Sequence, residues 1–183
     1  RVPAIAKSLL SYFRPSVAPR ARLDPSLPVR RALSLVEDQA IRQGVRIVDQ
    51  MEAPLPDVEA SAPELEQVFL NLFLNALDAM PGGGALAVMA RPAGAQLARG
   101  EAALEIVVAD TGPGIPADLR ERVFEPFFTT KEEGRGSGLG LAVCQGIVRS
   151  HGGEMALEAG PGCGARFVLR LPVLATSRRE IDG

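Results

Sequence analysis

The sequence predicts a two-layer α/β sandwich with a mixed sheet covered on one face by helices. Helical and strand-like stretches follow each other in an irregular order, and the last two strands, in "GEMALEAGPGCGARFVLRLP", read as a hairpin around PGCG. The strands are too few and the crossovers too unequal for a barrel or a doubly wound parallel sheet. At 183 residues the chain has the size of one domain with one core.

Ile5, Leu9, Leu10 and Phe13 keep a helical spacing that stops at Pro15, so residues 1–16 read as the end of a helix. The Pro-rich stretch 17–22 reads as a linker running into a short strand over 21–23. Ser26 is expected to cap a helix that buries Val29, Leu33, Val36, Ala40 and Ile41 and ends at Gly44. A strand follows at Val45, Ile47 and Val48. Ser61 and Glu64 form a capping box for a helix over 62–80, which carries Leu65, Val68, Phe69, Leu72, Leu77 and Met80 on one stripe and stops at Pro81 and three glycines. Strands at 85–90 and 104–109 are expected to flank a small-residue loop that tolerates insertion. After Asp110 come a glycine turn, a short helix at 118–123, a glycine-studded segment, a helix over 139–150 and the closing hairpin. The core domain is thus 23–174, with a polar, frayed tail at 175–183.

Twenty basic residues against 22 acidic ones give a net charge of −2 without a Lys/Arg block. Binding to nucleic acid or to an anionic membrane through charge is therefore not expected. The longest apolar run, 68–80, is broken by Asn71, Asn75 and Asp78 and falls short of the roughly 20 residues of a membrane helix. Cys144 sits in an apolar helical stretch and Cys163 in a glycine turn, so neither has metal-ligand spacing, and a reducing cytosolic setting fits.

Asn71, Asn75 and Asp78 recur at i, i+4 and i+7, which puts three oxygen-bearing groups on one helical face. They read as a solvated stripe or as hard donors suited to Mg²⁺. In "VVADTGPGIP", Asp110 ends an apolar strand and needs hydrogen-bond donors, such as an exocyclic amine, while Gly112 and Gly114 permit close approach; a plain turn reads the same way. In "GRGSGLGL", Gly136, Gly138 and Gly140 precede a helix start, where backbone N–H groups and the helix dipole favour phosphate. Lys131 and Arg135 could neutralise phosphate charge there or simply be solvated beside Glu132 and Glu133. Phe124, Phe127 and Phe128 anchor the near end of this segment.

In their order, "NLFLNALDAM", "DTGPGIP", "FEPFFTTK" and "GSGLGLAV" resemble the N, G1, F and G2 boxes of the GHKL ATPase and kinase superfamily, specifically the catalytic ATP-binding domain of sensor histidine kinases. The similarity covers roughly 23–172, and "DAM", "EPFFTTK" and "GLGLAV" look most like the nitrogen-regulation branch. The resemblance implies the Bergerat fold, with a mostly antiparallel sheet, about three helices and a flexible ATP lid over 125–137. It implies that Asn75 holds Mg²⁺, that Asn71 contacts metal or phosphate, and that Asp110 accepts the adenine amine. Asp78, Gly112, Gly114, Ile115, Phe124, Thr130, Lys131, Gly136, Ser137, Gly138, Leu139, Gly140 and Leu141 complete the implied ATP site, with Asn71, Asn75 and Lys131 as its catalytic members.

Two departures from the family pattern matter. Members that hydrolyse ATP with water carry a general-base Glu at the position of Asn71, and an amide cannot take up that proton. A kinase fits better. Ala165 stands where many relatives have a Thr near adenine, at the expense of one hydrogen bond of about 1 kcal/mol. The chain's single histidine, His151, sits at the end of the G2 helix, where a structural or capping role is expected. The phosphoacceptor histidine is thus expected on a dimerisation helix upstream of Arg1, of which 1–16 is the remnant. The expected partners are that dimerisation and phosphotransfer domain and a response regulator receiver domain. The parent protein is expected to be a homodimer; this chain alone, a monomer that binds ATP with little activity. A nucleotide-gated interaction module and an anti-sigma-type serine kinase are the rival readings.

Overall fold

The computed structural model describes residues 19–52, 54–130, 137–159 and 164–174. The expectations for 1–18, Lys131, Arg135, Gly136, Cys163 and the tail lie outside these residues. The elements are β1 (Ala21–Leu23), α1 (Ser26–Gln43), β2 (Val45–Met51), β3 (Val58–Ala60), α2 (Ala62–Ala79), β4 (Gly84–Gln96), β5 (Ala102–Asp110), single 3₁₀ turns at Ala117–Leu119 and Arg122–Phe124, α3 (Gly140–Ser150), β6 (Glu154–Ala159) and β7 (Ala165–Pro172). No helix among the described residues is long and apolar enough to cross a membrane.

The main sheet runs β2-β4-β5-β7-β6, parallel between β2 and β4 and antiparallel elsewhere. Period-two alternation puts Leu104, Ile106 and Val108 of β5 on the helix side. There they join Leu86, Val88, Phe167 and Leu169 from the sheet and Val29, Val36, Leu65, Phe69, Leu72 and Phe73 from α1 and α2 in one core. The Phe69 and Phe73 rings stack with centroids 6.2 Å apart. On the opposite face, Val107 and Val168 are register partners, flanked by Arg170–Glu105 (2.9 Å), Arg166–Glu158 (3.3 Å) and Arg170–Glu158 (3.8 Å) ion pairs. The small sheet β1–β3 is tied to the large one where Val58 bridges Val173.

Several local expectations are corrected. Ser26 does not cap α1: Pro25 is the boundary residue, and the Asp24 carboxylate accepts the Ser26 N–H at 2.9 Å instead. Ile41 is 69% exposed, because on a helix that runs to Gln43 it lies one residue step round from Ala40, off the stripe formed by Val29, Leu33, Val36 and Ala40. The segment expected as a loop between 90 and 104 is mostly strand. β4 and β5 pair as far as Gln96 and Ala102, with a register shift between Arg91 and Ala95, so cross-strand pairing overrides weak propensity. Residues 118–123 form two 3₁₀ turns rather than one helix.

The capping box at α2 is only half made. Ser61 Oγ accepts the Glu64 N–H at 3.4 Å, while the Ser61 N–H goes to His151 Nε2 at 3.0 Å. His151 Nδ1 lies 2.8 Å from Ile147 O, so the proton sits on Nδ1 and the ring pins the start of α2 to the end of α3. His151 is 4% exposed, which makes it structural as expected, though as a neutral acceptor rather than a cationic cap.

Candidate functional site

Between α2, the turn after β5 and the start of α3 lies a cavity of about 530 Å³. Helical spacing places Asn71, Asn75 and Asp78 along one wall, half-buried at the first two and exposed at the third. Asp110, Gly114, Ile115, Thr130, Ser137, Gly138, Gly140 and Leu141 line the remainder, so most of the residues expected at the site share one cavity. Gly112, Phe124 and Leu139 do not line it. Each acts from behind: Gly112 N–H donates to Asp110, Phe124 packs edge-on against the lining Phe167 at 6.4 Å, and Leu139 is buried at the entry to α3.

Asp110 is at the end of the sheet because β5 runs out there, and its Oδ1 accepts from Gly112 N at 2.9 Å and Ala165 N at 3.2 Å. Burial raises its pKa above the ordinary aspartate value, and these two donors oppose that rise without cancelling it. Gly164 makes the arrangement possible. Its φ is +124°, and a Cβ there would lie 1.8 Å from Asp110 O, so β7 can approach the carboxylate only through glycine.

At the other end, Phe127 N–H donates to Gly138 O at 2.9 Å, joining the F box to the glycine turn before α3. Phe127 has φ +69° and is 61% exposed, an unusual backbone state for a bulky residue. Gly138 (φ +65°) lies so close that a Cβ would meet Phe127 C at 2.4 Å. This turn points Phe127 outward while Phe128, Thr129 and Thr130 line the cavity, with Arg122 stacked 4.6 Å from the Phe128 ring centroid.

The sequence reading missed the apolar wall: Leu74, Pro113, Pro116, Leu119, Val123 and Phe167. Alternation in β7 could have signalled Phe167; nothing local marks the others. Behind the polar wall, Cys144 is fully buried on α3, and its Sγ lies 3.6 Å from Val68 O. Burial pushes its thiol up to about 12, against a lowering hydrogen bond from the Asn71 side chain.

Chemically, the cavity offers a carboxylate acceptor beside an apolar slot at one end and amide and carboxylate oxygens with a helix N-terminus at the other. Among the described residues no three His, Cys, Asp or Glu side chains cluster to hold a metal. A cation here would rest on amide oxygens, one carboxylate and ligand or water oxygens, a donor set that suits Mg²⁺.

The family described as "Histidine kinase-, DNA gyrase B-, and HSP90-like ATPase" matches residues 60–175. Sensor histidine kinase ZraS of Escherichia coli O157:H7 is 37% identical over 183 residues, which is all of this chain and 38% of that protein. Among solved structures, histidine kinase ThkA in complex with response regulator protein TrrA superimposes with a TM-score of 0.75 at 26% identity, over 93% of this chain and 46% of that one. Full-length ShkA in complex with AMPPNP gives a TM-score of 0.70 at 30% identity, over 85% of this chain and 31% of that one. The chain thus spans less than half the length of each of these relatives. With the sheet order, the cavity and these matches in agreement, the chain belongs to the histidine kinase-, DNA gyrase B- and HSP90-like ATPase family, as a catalytic domain of the sensor histidine kinase kind.

Proposed function

We propose that this domain binds ATP with Mg²⁺ and donates the γ-phosphoryl group to a histidine on a dimerisation helix of its parent protein. The observation that carries the reading is the convergence of Asp110, Asn75 and the Gly138–Gly140 turn on one cavity. The Asp110 carboxylate accepts the adenine amine while Ile115, Leu119 and Phe128 enclose the base. Asn75, with Asn71 and Asp78, would hold the cation, which when bound would supply charge neutralisation at the phosphates. Backbone N–H groups at the start of α3 face the phosphates, and Lys131 and Gly136 belong to the same site.

Transfer needs little covalent chemistry from this domain. The acceptor imidazole nitrogen forms the N–P bond as the bond from γ-phosphorus to the β,γ-bridging oxygen breaks, leaving ADP, and catalysis is positioning plus electrostatics. Asn71 is no base for water, so phosphate is held for the imidazole rather than hydrolysed.

The domain works in the cytoplasm as part of a homodimeric kinase, whose phosphohistidine passes the phosphoryl group on to a receiver domain; ThkA, solved in complex with response regulator protein TrrA, supports that partner class. The nitrogen-regulation assignment rests on "DAM", "EPFFTTK" and "GLGLAV" alone. Mixing this chain with labelled ATP and a histidine-bearing dimerisation hairpin in trans tests the reading. Acid-labile, base-stable label on the hairpin is expected; no label, or label on serine, overturns it.

A further inference from the structure

Phe128 differs from the two phenylalanines before it. Phe124 packs edge-on against Phe167 of the core and Phe127 is exposed, whereas Phe128 is half-buried between exposed neighbours and lines the cavity. Two successive turns bring a cation onto this ring. Glu125 N–H donates to Arg122 O at 2.9 Å and Phe128 N–H to Glu125 O at 3.2 Å, so the chain folds back twice between 122 and 128. The second turn has Pro126 in its second place and a positive φ at Phe127 in its third, the pattern of a type II turn. Arg122 is thereby carried over Phe128, with its guanidinium carbon 4.6 Å from the ring centroid, and the Glu125 carboxylate, 3.9 Å from Arg122 Nε, restrains it from the side.

We propose that Arg122 is a positioning residue for the nucleotide base: it lies against the outer face of Phe128 and holds the ring so that its other face is presented to the purine. A ring fixed before the ligand arrives does not have to be ordered during binding, which removes one side chain's share of the entropy cost. Arg120, two residues earlier, acts on the same slot from the same segment, since its Nε donates to Ile115 O at 3.2 Å and Ile115 lines the cavity. The 3₁₀ turns thus work as a bracket behind the base, with arginines as its fasteners. This rests on the ATP reading above and adds to it a residue outside the four boxes' glycines, amides and carboxylate.

The test is a double-mutant cycle read by calorimetry with AMPPNP and Mg²⁺, over wild type, Arg122→Ala, Phe128→Leu and the two combined, with Arg122→Lys as the conservative variant. Arg122 is exposed, so its variants are expected to fold. Arg122→Ala should weaken AMPPNP about 2- to 10-fold, the cost of ordering one side chain, and Arg122→Lys should recover part of that loss. In the Phe128→Leu background the same Arg122→Ala change should cost less than about 1.5-fold, because the ring it acts through is gone. In the ligand-free protein, the Phe128 ring proton resonances, assigned with Phe128→Leu, should move in Arg122→Ala. A wild type that does not bind AMPPNP removes the functional reading and this one with it. A wild type that binds while Arg122→Ala binds equally well overturns the Arg122 proposal alone. So does an equal loss in both Phe128 backgrounds, which would make Arg122 a charge acting on the phosphates directly. If Phe128→Leu binds too weakly to compare, the resonances decide, and unmoved ring protons in Arg122→Ala overturn the proposal.

Discussion

Asp110 works against the stability of the empty domain. Because burial raises its pKa, the folded state holds the proton more tightly than the unfolded chain does, so stability is greatest below the unfolded value near 3.9 and declines as pH rises through the raised one. Asp110→Asn keeps an oxygen for the Gly112 and Ala165 N–H groups and removes the buried charge. The unliganded variant is therefore expected to melt at or above the wild-type temperature at neutral pH, with the difference shrinking toward about pH 4. Its affinity for AMPPNP should fall at least about 10-fold, because an amide NH₂ would meet the adenine amine, donor to donor. Melting curves across pH and calorimetry check both halves; a variant that binds as well as wild type would show that the base lies elsewhere. The sequence made Asp110 visible because a carboxylate after an apolar strand is anomalous. It hid Gly164, whose necessity comes from the close approach of β7 to Asp110, 54 residues earlier in the chain.

α2 and α3 carry the two halves of the cavity, and His151 holds them together away from it. Replacing His151 with Ala leaves the Ser61 N–H buried without its acceptor and opens a void, at about 3 kcal/mol. His151→Gln, whose amide oxygen can still accept, should lose clearly less; equal losses in urea melts would show that the ring matters only as volume. The elements were readable wherever periodicity and stop signals agreed, as in α2 with its apolar stripe ending at Pro81. They were unreadable where long-range pairing decides: β3 has three residues, and the outer half of the β4–β5 ladder is written in small, weakly biased side chains. The aromatic and aliphatic wall at Leu119, Val123 and Phe128 belongs to the same class, since it becomes a wall only once the 3₁₀ turns fold back over the end of the sheet.

Because the candidate cavity is walled by the same helices and strands that form the core, ligand binding should stabilise the whole domain. By mass action, Mg²⁺ with AMPPNP at 100 times its Kd adds about 2.7 kcal/mol, or several degrees in Tm for a domain of this size. Nucleotide with EDTA should give a smaller rise, and equal rises would remove the metal from the site. The sandwich itself was legible because the helices, the hairpin and their order constrain one another; the parallel β2–β4 pair was not, since no local pattern reports strand direction. The bridge between Val58 and Val173 has a wider effect. β3 touches β1 along one edge and the end of β7 along the other, and Leu174 N–H donates to Asp57 O beside Arg22, which pairs with the Asp57 carboxylate. The polypeptide thus enters and leaves this unit at a single corner, like a cassette with both seams on one side, so it can be spliced into a host loop or given new ends elsewhere without pulling the sheet apart.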